Sequence, residues 1–188
     1  MKPSYASASN MSSVGTVSPI PSAMSPLLQL APSTLLAIRA SLLTRADLDT
    51  VFVLRDAGYV GGDHIYAAFV QYVCEREPVD PQELGIDEFF RYAGEFFTQC
   101  GWGTTRFSAH DETFCVVEID DCWEAAPEHQ PDPKGCHLTL GLLGAFLGKF
   151  ADYPVSILEI DGPDTGSTVC RFISGNTEMV ADYYARNS

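Results

Sequence analysis

The chain has 188 residues, enough for one domain with a sizeable core and too few for two of typical size, and its 46% hydrophobic content is that of a globular protein. Its 25 acidic residues against 11 basic ones give a formal charge of −14, which opposes binding to phosphate backbones and anionic lipid surfaces, so nucleic acid is excluded as an expected partner. No run of 18 apolar residues exists, which excludes a helical membrane span.

Residues 1–32 are rich in Ser, Pro and Ala, with no continuous apolar stretch of the kind an export signal needs, and are expected to form a disordered tail ahead of a single domain over 33–188. Six cysteines without an export signal point to a reducing cytoplasm, with the thiols free or acting as ligands. From Ser33, a candidate N-cap, to Asp56 the residues Leu35, Leu36, Ile38, Leu42, Leu43, Leu48, Val51 and Leu54 recur at helical spacing, as one helix or as two divided at Thr44 to Asp47. Gly58, Gly61 and Gly62 are expected to break that pattern, with Asp63 capping a second helix to Arg76. A third helix over 86–100 carries Phe89, Phe90, Tyr92, Ala93, Phe96 and Phe97 and stops at Gly101.

Residues 102–109 and 113–120 then read as a β-hairpin around His110, and a Pro- and acid-rich loop follows to Lys134. The stretch 136–150 is helical in pattern but interrupted by Gly141, Gly144 and Gly148, which implies that something packs closely against it. Strands 153–161 and 168–174 form a second hairpin, and 176–186 a short last helix. The expected fold is α+β, with N-terminal helices packed on an antiparallel sheet of two hairpins and one helix between them.

Chemistry concentrates in the last third. Thiolate and carboxylate both suit a borderline-soft ion, and a turn at Gly166 would swing Cys170 back toward Glu159, which makes Cys136, Glu159 and Cys170 a candidate metal set. Cys74, Cys100, Cys115 and Cys122 read instead as small core hydrophobes. Glu118, Asp120, Asp121 and Glu124 could be taken for an acid/base pair or a cation site, but alternation puts Glu118 and Asp120 on the outer face of a strand. His64 and His110 read as surface residues. The glycines at 58, 61 and 62 lie between helices, where a dinucleotide loop would follow a strand. No Ser-His-Asp, Walker or kinase pattern is present, so no catalytic residue is assigned.

These features resemble the 4-vinyl-reductase (4VR) domain family, relatives of the ligand-binding domains of phenol-sensing bacterial regulators and of TRAPP trafficking subunits. Its metal-binding members carry a Cys at a helix start, then Glu-x-x-Cys, then a Gly turn and Cys-x-Phe. Cys136, Glu159 and Cys170 with Phe172 match that order, while Gly162 stands where the family has its middle Cys. The entry Leu54-Arg55-Asp56-Ala57-Gly58-Tyr59 with Gly61-Gly62 is similar as well, so the likeness covers roughly residues 34–175. It implies a structural zinc ion on Cys136, Glu159 and Cys170, with a fourth ligand from water, Asp161, Asp164 or His137. It also implies a small hydrophobic or aromatic ligand between helices and sheet, for which the candidate lining is Tyr92, Phe96, Trp102, Phe107, Phe114 and Trp123. The expected function is a sensor, carrier or regulatory module that could form a homodimer. Alternatives are an enzyme or accessory of tetrapyrrole metabolism, which would need a partner to supply electrons, and a scaffold subunit.

Overall fold

The computed structural model describes residues 30–45, 47–110, 113–125, 134–162, 167 and 169–187. The tail up to residue 29, the loop 126–133 and the turn with Asp164 and Gly166 lie outside the described residues. The elements run α1 (Pro32–Leu43), α2 (Thr50–Cys74), α3 (Ile86–Gln99), β1 (Thr104–Ala109), β2 (Cys115–Asp120), α4 (His137–Ala151), β3 (Ser156–Asp161), β4 (Val169–Gly175) and α5 (Thr177–Asn187), with 3-10 turns at Pro81–Glu83 and Trp123–Ala125. The four strands form one antiparallel sheet in the order β1-β2-β4-β3, so the two expected hairpins are joined through β2 and β4.

Alternation sorts the faces of the sheet. Phe107 stands across from Val117, which pairs with Phe172, and Ile119 pairs with Cys170; all five are buried against the helices. The other face carries a charge ladder in which Arg106 meets Glu118 and Asp120, and Arg171 meets Glu118 at 2.7 Å. The acidic residues of β2 therefore do the solvent-side work that their alternation implies.

The first helices depart from the sequence expectation. Ala31, and not Ser33, precedes α1, with Pro32 in its first turn. Asp49 caps α2 by accepting from the Phe52 amide at 3.1 Å, and α2 then runs unbroken for 25 residues through Gly58, Gly61 and Gly62. Asp63 lies inside it and pairs with Lys149 at 3.2 Å. The glycines are there for a neighbour. A Cβ at Gly58 would strike the Leu138 carbonyl, one at Gly62 the Ala145 side chain, and one at Gly141 the Arg55 carbonyl. The two helices thus meet backbone to backbone, and the close partner expected for α4 is α2.

Gly61, by contrast, has nothing within 4 Å of its missing Cβ. Gly141→Ala should therefore cost about 1–3 kcal/mol through overpacking, whereas Gly61→Ala should gain about 0.5–1 kcal/mol from helix propensity. Thermal unfolding of the two variants should move in opposite directions from the wild type.

Candidate functional site

The first turn of α4 is held by a residue from the far side of the loop that precedes it. Glu124, fully buried, accepts from the Leu138 amide at 3.0 Å, the Thr139 amide at 2.9 Å and the Thr139 hydroxyl at 2.8 Å. A carboxylate there satisfies helix N–H groups that would otherwise be orphaned and faces the positive end of the helix dipole. Burial pushes its carboxyl above the usual carboxylate range, with those hydrogen bonds acting against the rise. Arg39 of α1, also buried, reaches Glu124 at 3.4 Å and donates to the Gly135 carbonyl at 2.8 Å. Glu124 thus belongs to no surface acidic cluster; it ties α1, the Trp123–Ala125 turn and α4 together.

Three cysteines converge on the same corner. Cys122 follows β2, Cys136 immediately precedes α4, and Cys170 lies on the inner face of β4. The Sγ atoms of Cys122 and Cys136 are 3.9 Å apart, those of Cys136 and Cys170 are 2.8 Å apart, and all three lie within 4.8 Å of one another. Hydrogen bonds from Cys136 and then Cys170 hold the Cys122 thiol well below its ordinary range, and the same contacts with Cys122 push the other two up.

Of the set expected from sequence, the structure brings Cys136 and Cys170 together. Glu159, on β3, accepts from the Cys136 amide at 2.9 Å. A Cβ at Gly162 would strike the Glu159 carboxylate, so that carboxylate occupies the space a side chain at 162 would need. His137 is buried in the first turn of α4 and Asp161 ends β3. Cys122 was expected to be core filler and is buried as such, but its sulfur faces the other two. The signal for it in the sequence is slight: a Cys at a strand end, separated from Cys136 by a loop of no regular spacing. As a donor set the trio fits a thiophilic ion, since three buried sulfurs lie close enough to hold one. Cys100 and Cys115 stand apart, their thiols pushed up to about 12 by burial.

The aromatic residues divide. Phe96 and Phe107 belong to a closed cluster with Phe69, Phe89, Phe97 and Phe146, whose centroids lie 4.9–6.5 Å apart in mostly edge-to-face pairs. Trp102 and Trp123 meet at 6.0 Å. Tyr92, buried at the edge of the core, donates its hydroxyl to Glu77, with the Arg91 guanidinium over its ring. Phe114 alone of the six lines a cavity of about 210 Å3, which opens between the start of α3, the end of α4 and the end of the sheet. Phe89, Phe90, Leu147, Phe150 and Val155 complete its apolar wall, Ser174 adds a buried hydroxyl, and the half-exposed Tyr153 stands at the mouth. His64 and His110 are exposed, as expected.

A helix-backed antiparallel sheet with a thiol cluster at one end of α4 and an apolar cavity at the other defines a mixed α+β domain. No family model and no curated protein matches the sequence. Among solved structures, the chain is similar to the phenol-responsive sensory domain of the transcription activator PoxR with phenol, at 13% identity and a TM-score of 0.62, over 85% of this chain and 81% of that one. Weaker likenesses are to trafficking protein particle complex subunit 3 from Naegleria fowleri, covalently bound to palmitic acid (12% identity, TM-score 0.49, 77% and 93% covered), and to a vinyl-4-reductase family protein from Methanocaldococcus jannaschii (9%, 0.46, 80% and 84%). The likeness to the sensory domain shows a shared fold, and the fold resembled in the sequence is the one observed.

Removing Glu124 takes a carboxylate from a buried guanidinium and uncaps α4, whereas removing Arg39 leaves Glu124 with its helix donors. Glu124→Ala should therefore cost about 3–5 kcal/mol, and Arg39→Met appreciably less. Denaturant unfolding of both variants measures the asymmetry.

Proposed function

We propose that this domain binds a small apolar molecule of about one aromatic ring in the cavity lined by Phe114, Phe150 and Ser174, as a sensor, carrier or regulatory module. The observation that carries the reading is the cavity itself. A pocket of roughly 150 Å3 walled by Leu, Ile and Phe is known to hold benzene, and about 210 Å3 with one buried hydroxyl suits a ring bearing a single polar substituent. A tetrapyrrole, with roughly four such rings, does not fit that volume. The shared fold with a domain solved with phenol supports the same ligand class. The aromatic cluster behind the cavity, with Phe107 at its edge, supplies the rigid wall against which a ring stacks, and Trp102 and Trp123 meet at the opposite end of the first hairpin.

A zinc ion on Cys136 and Cys170, with Glu159 beside them, is the metal part of this reading. Among the described residues no helix is long and apolar enough to cross a membrane. The absence of a motif for catalysis or electron transfer in the sequence favours binding over turnover.

A ligand at a hundred times its Kd adds about 2.7 kcal/mol to stability, which for a chain of this length raises Tm by roughly 5–10 °C. Phenol and benzene, titrated in a thermal-shift assay, should produce such a rise, and protoporphyrin should not. Ala151→Phe, which fills the cavity from α4, should abolish the shift while leaving the far-ultraviolet circular dichroism of the free protein unchanged. A rise with protoporphyrin alone would sink the reading.

A further inference from the structure

We propose that Cys122 is a third thiolate of the metal site, so that one thiophilic divalent ion is held jointly by Cys122, Cys136 and Cys170, and that this ion, through Cys122, fixes the seat on which α1 docks. The inference rests on the metal part of the proposed function and extends it to a ligand from a different part of the chain. A zinc–sulfur bond of about 2.3 Å with tetrahedral angles sets neighbouring sulfurs about 3.8 Å apart, and the Cys122–Cys136 pair already stands at 3.9 Å. The Cys136–Cys170 pair, at 2.8 Å, would have to widen by about 1 Å to hold the ion. All three residues are buried and come from three separate elements, so an ion there ties the end of β2 to the start of α4 and to β4.

Cys122 and Cys136 also bracket the anchor of α1. Glu124 is two residues beyond Cys122, and Gly135 immediately precedes Cys136; both are partners of Arg39. Only Leu36, Arg39 and Leu43 of α1 are buried, while Ile38 is half exposed, so the helix has a thin apolar footing and depends on the placement of that pair. An ion that locks Cys122 to Cys136 locks Glu124 and the Gly135 carbonyl at the spacing Arg39 needs. Metal binding at a buried site then has an outlet at the surface, in how firmly α1 stays down.

The test uses the full chain purified without chelator. Metal content and cobalt substitution are measured for wild type, Cys122→Ser and Cys136→Ser, and hydrogen exchange across residues 32–43 is followed with zinc and after chelation. The expected results are one ion per wild-type chain and a sulfur-to-cobalt absorption band that falls by about a third in Cys122→Ser, the share of one thiolate in three. The rise in Kd for that variant should exceed the roughly 10–100-fold that losing an outer-shell partner costs. Protection of α1 should drop at least tenfold on chelation and return with zinc, a readout that needs no variant to fold. If Cys136→Ser loses the ion while Cys122→Ser keeps it with an undiminished band, the metal reading stands and this inference is overturned. Unchanged α1 protection overturns the coupling. A metal-free wild type with Cys136 and Cys170 joined in a disulfide overturns both, and leaves the ligand-dependent thermal shift to be judged on its own.

Discussion

The buried carboxylate of Glu124 is the constraint on which this molecule turns. Burying an unpaired charge is prohibitive, so its position is acceptable only because two amides, a hydroxyl and a guanidinium all converge on it. Those partners belong to α4 and α1. Once Glu124 is satisfied, the first turn of α4 is fixed, Cys136 is placed against Cys170, and the β2 strand that leads into Cys122 must end where it does. The thiol corner is thus a consequence of a capping interaction that spans the loop before α4.

The rest of the core follows from the other contact of α4, its backbone approach to α2. Three glycines on the two helices remove the side chains that would hold them apart, and the freed depth is filled by the rings of Phe69, Phe89, Phe97 and Phe146. Those rings pack mostly edge to face, with Phe89 stacked on Phe146. The open volume lies where α4 ends and the ring cluster runs out, at Phe150, Tyr153 and Phe114. Aromatic content alone therefore identifies a core; the place where the core stops identifies the cavity.

This distinction shows what could be read from the residues. The order of elements, the two hairpins, the outward acids of β2 and the close packing of α4 are all local or periodic signals, and the structure has them. The glycines of α2 were misleading because their local meaning, a broken helix, competes with a long-range one, contact with Leu138 and Ala145, that no window of sequence contains. Cys122 escaped for the same reason. Its nearness to Cys170 follows from β2 pairing with β4, a topological fact, and its nearness to Cys136 from the Glu124 cap. Cys136 and Cys170 were legible because they lie in an ordered pattern with Glu159; Phe114 was legible as an aromatic but not as a wall of the apolar cavity at the end of α4.

The two candidate sites sit at opposite ends of one rod. A helix of 15 residues is about 22 Å long, and α4 begins at the thiols and ends with Leu147, Phe150 and Ala151 on the cavity wall. Pressed against the α2 backbone at Gly58, Gly62 and Gly141, it cannot bend toward either site without opening that contact. A ligand that displaced the end of α4 would therefore have to move the helix as a unit, and the first resistance it would meet is the Glu124 cap and the thiol corner. The same stiffness that separates the sites by more than any direct contact makes them share a single mechanical element.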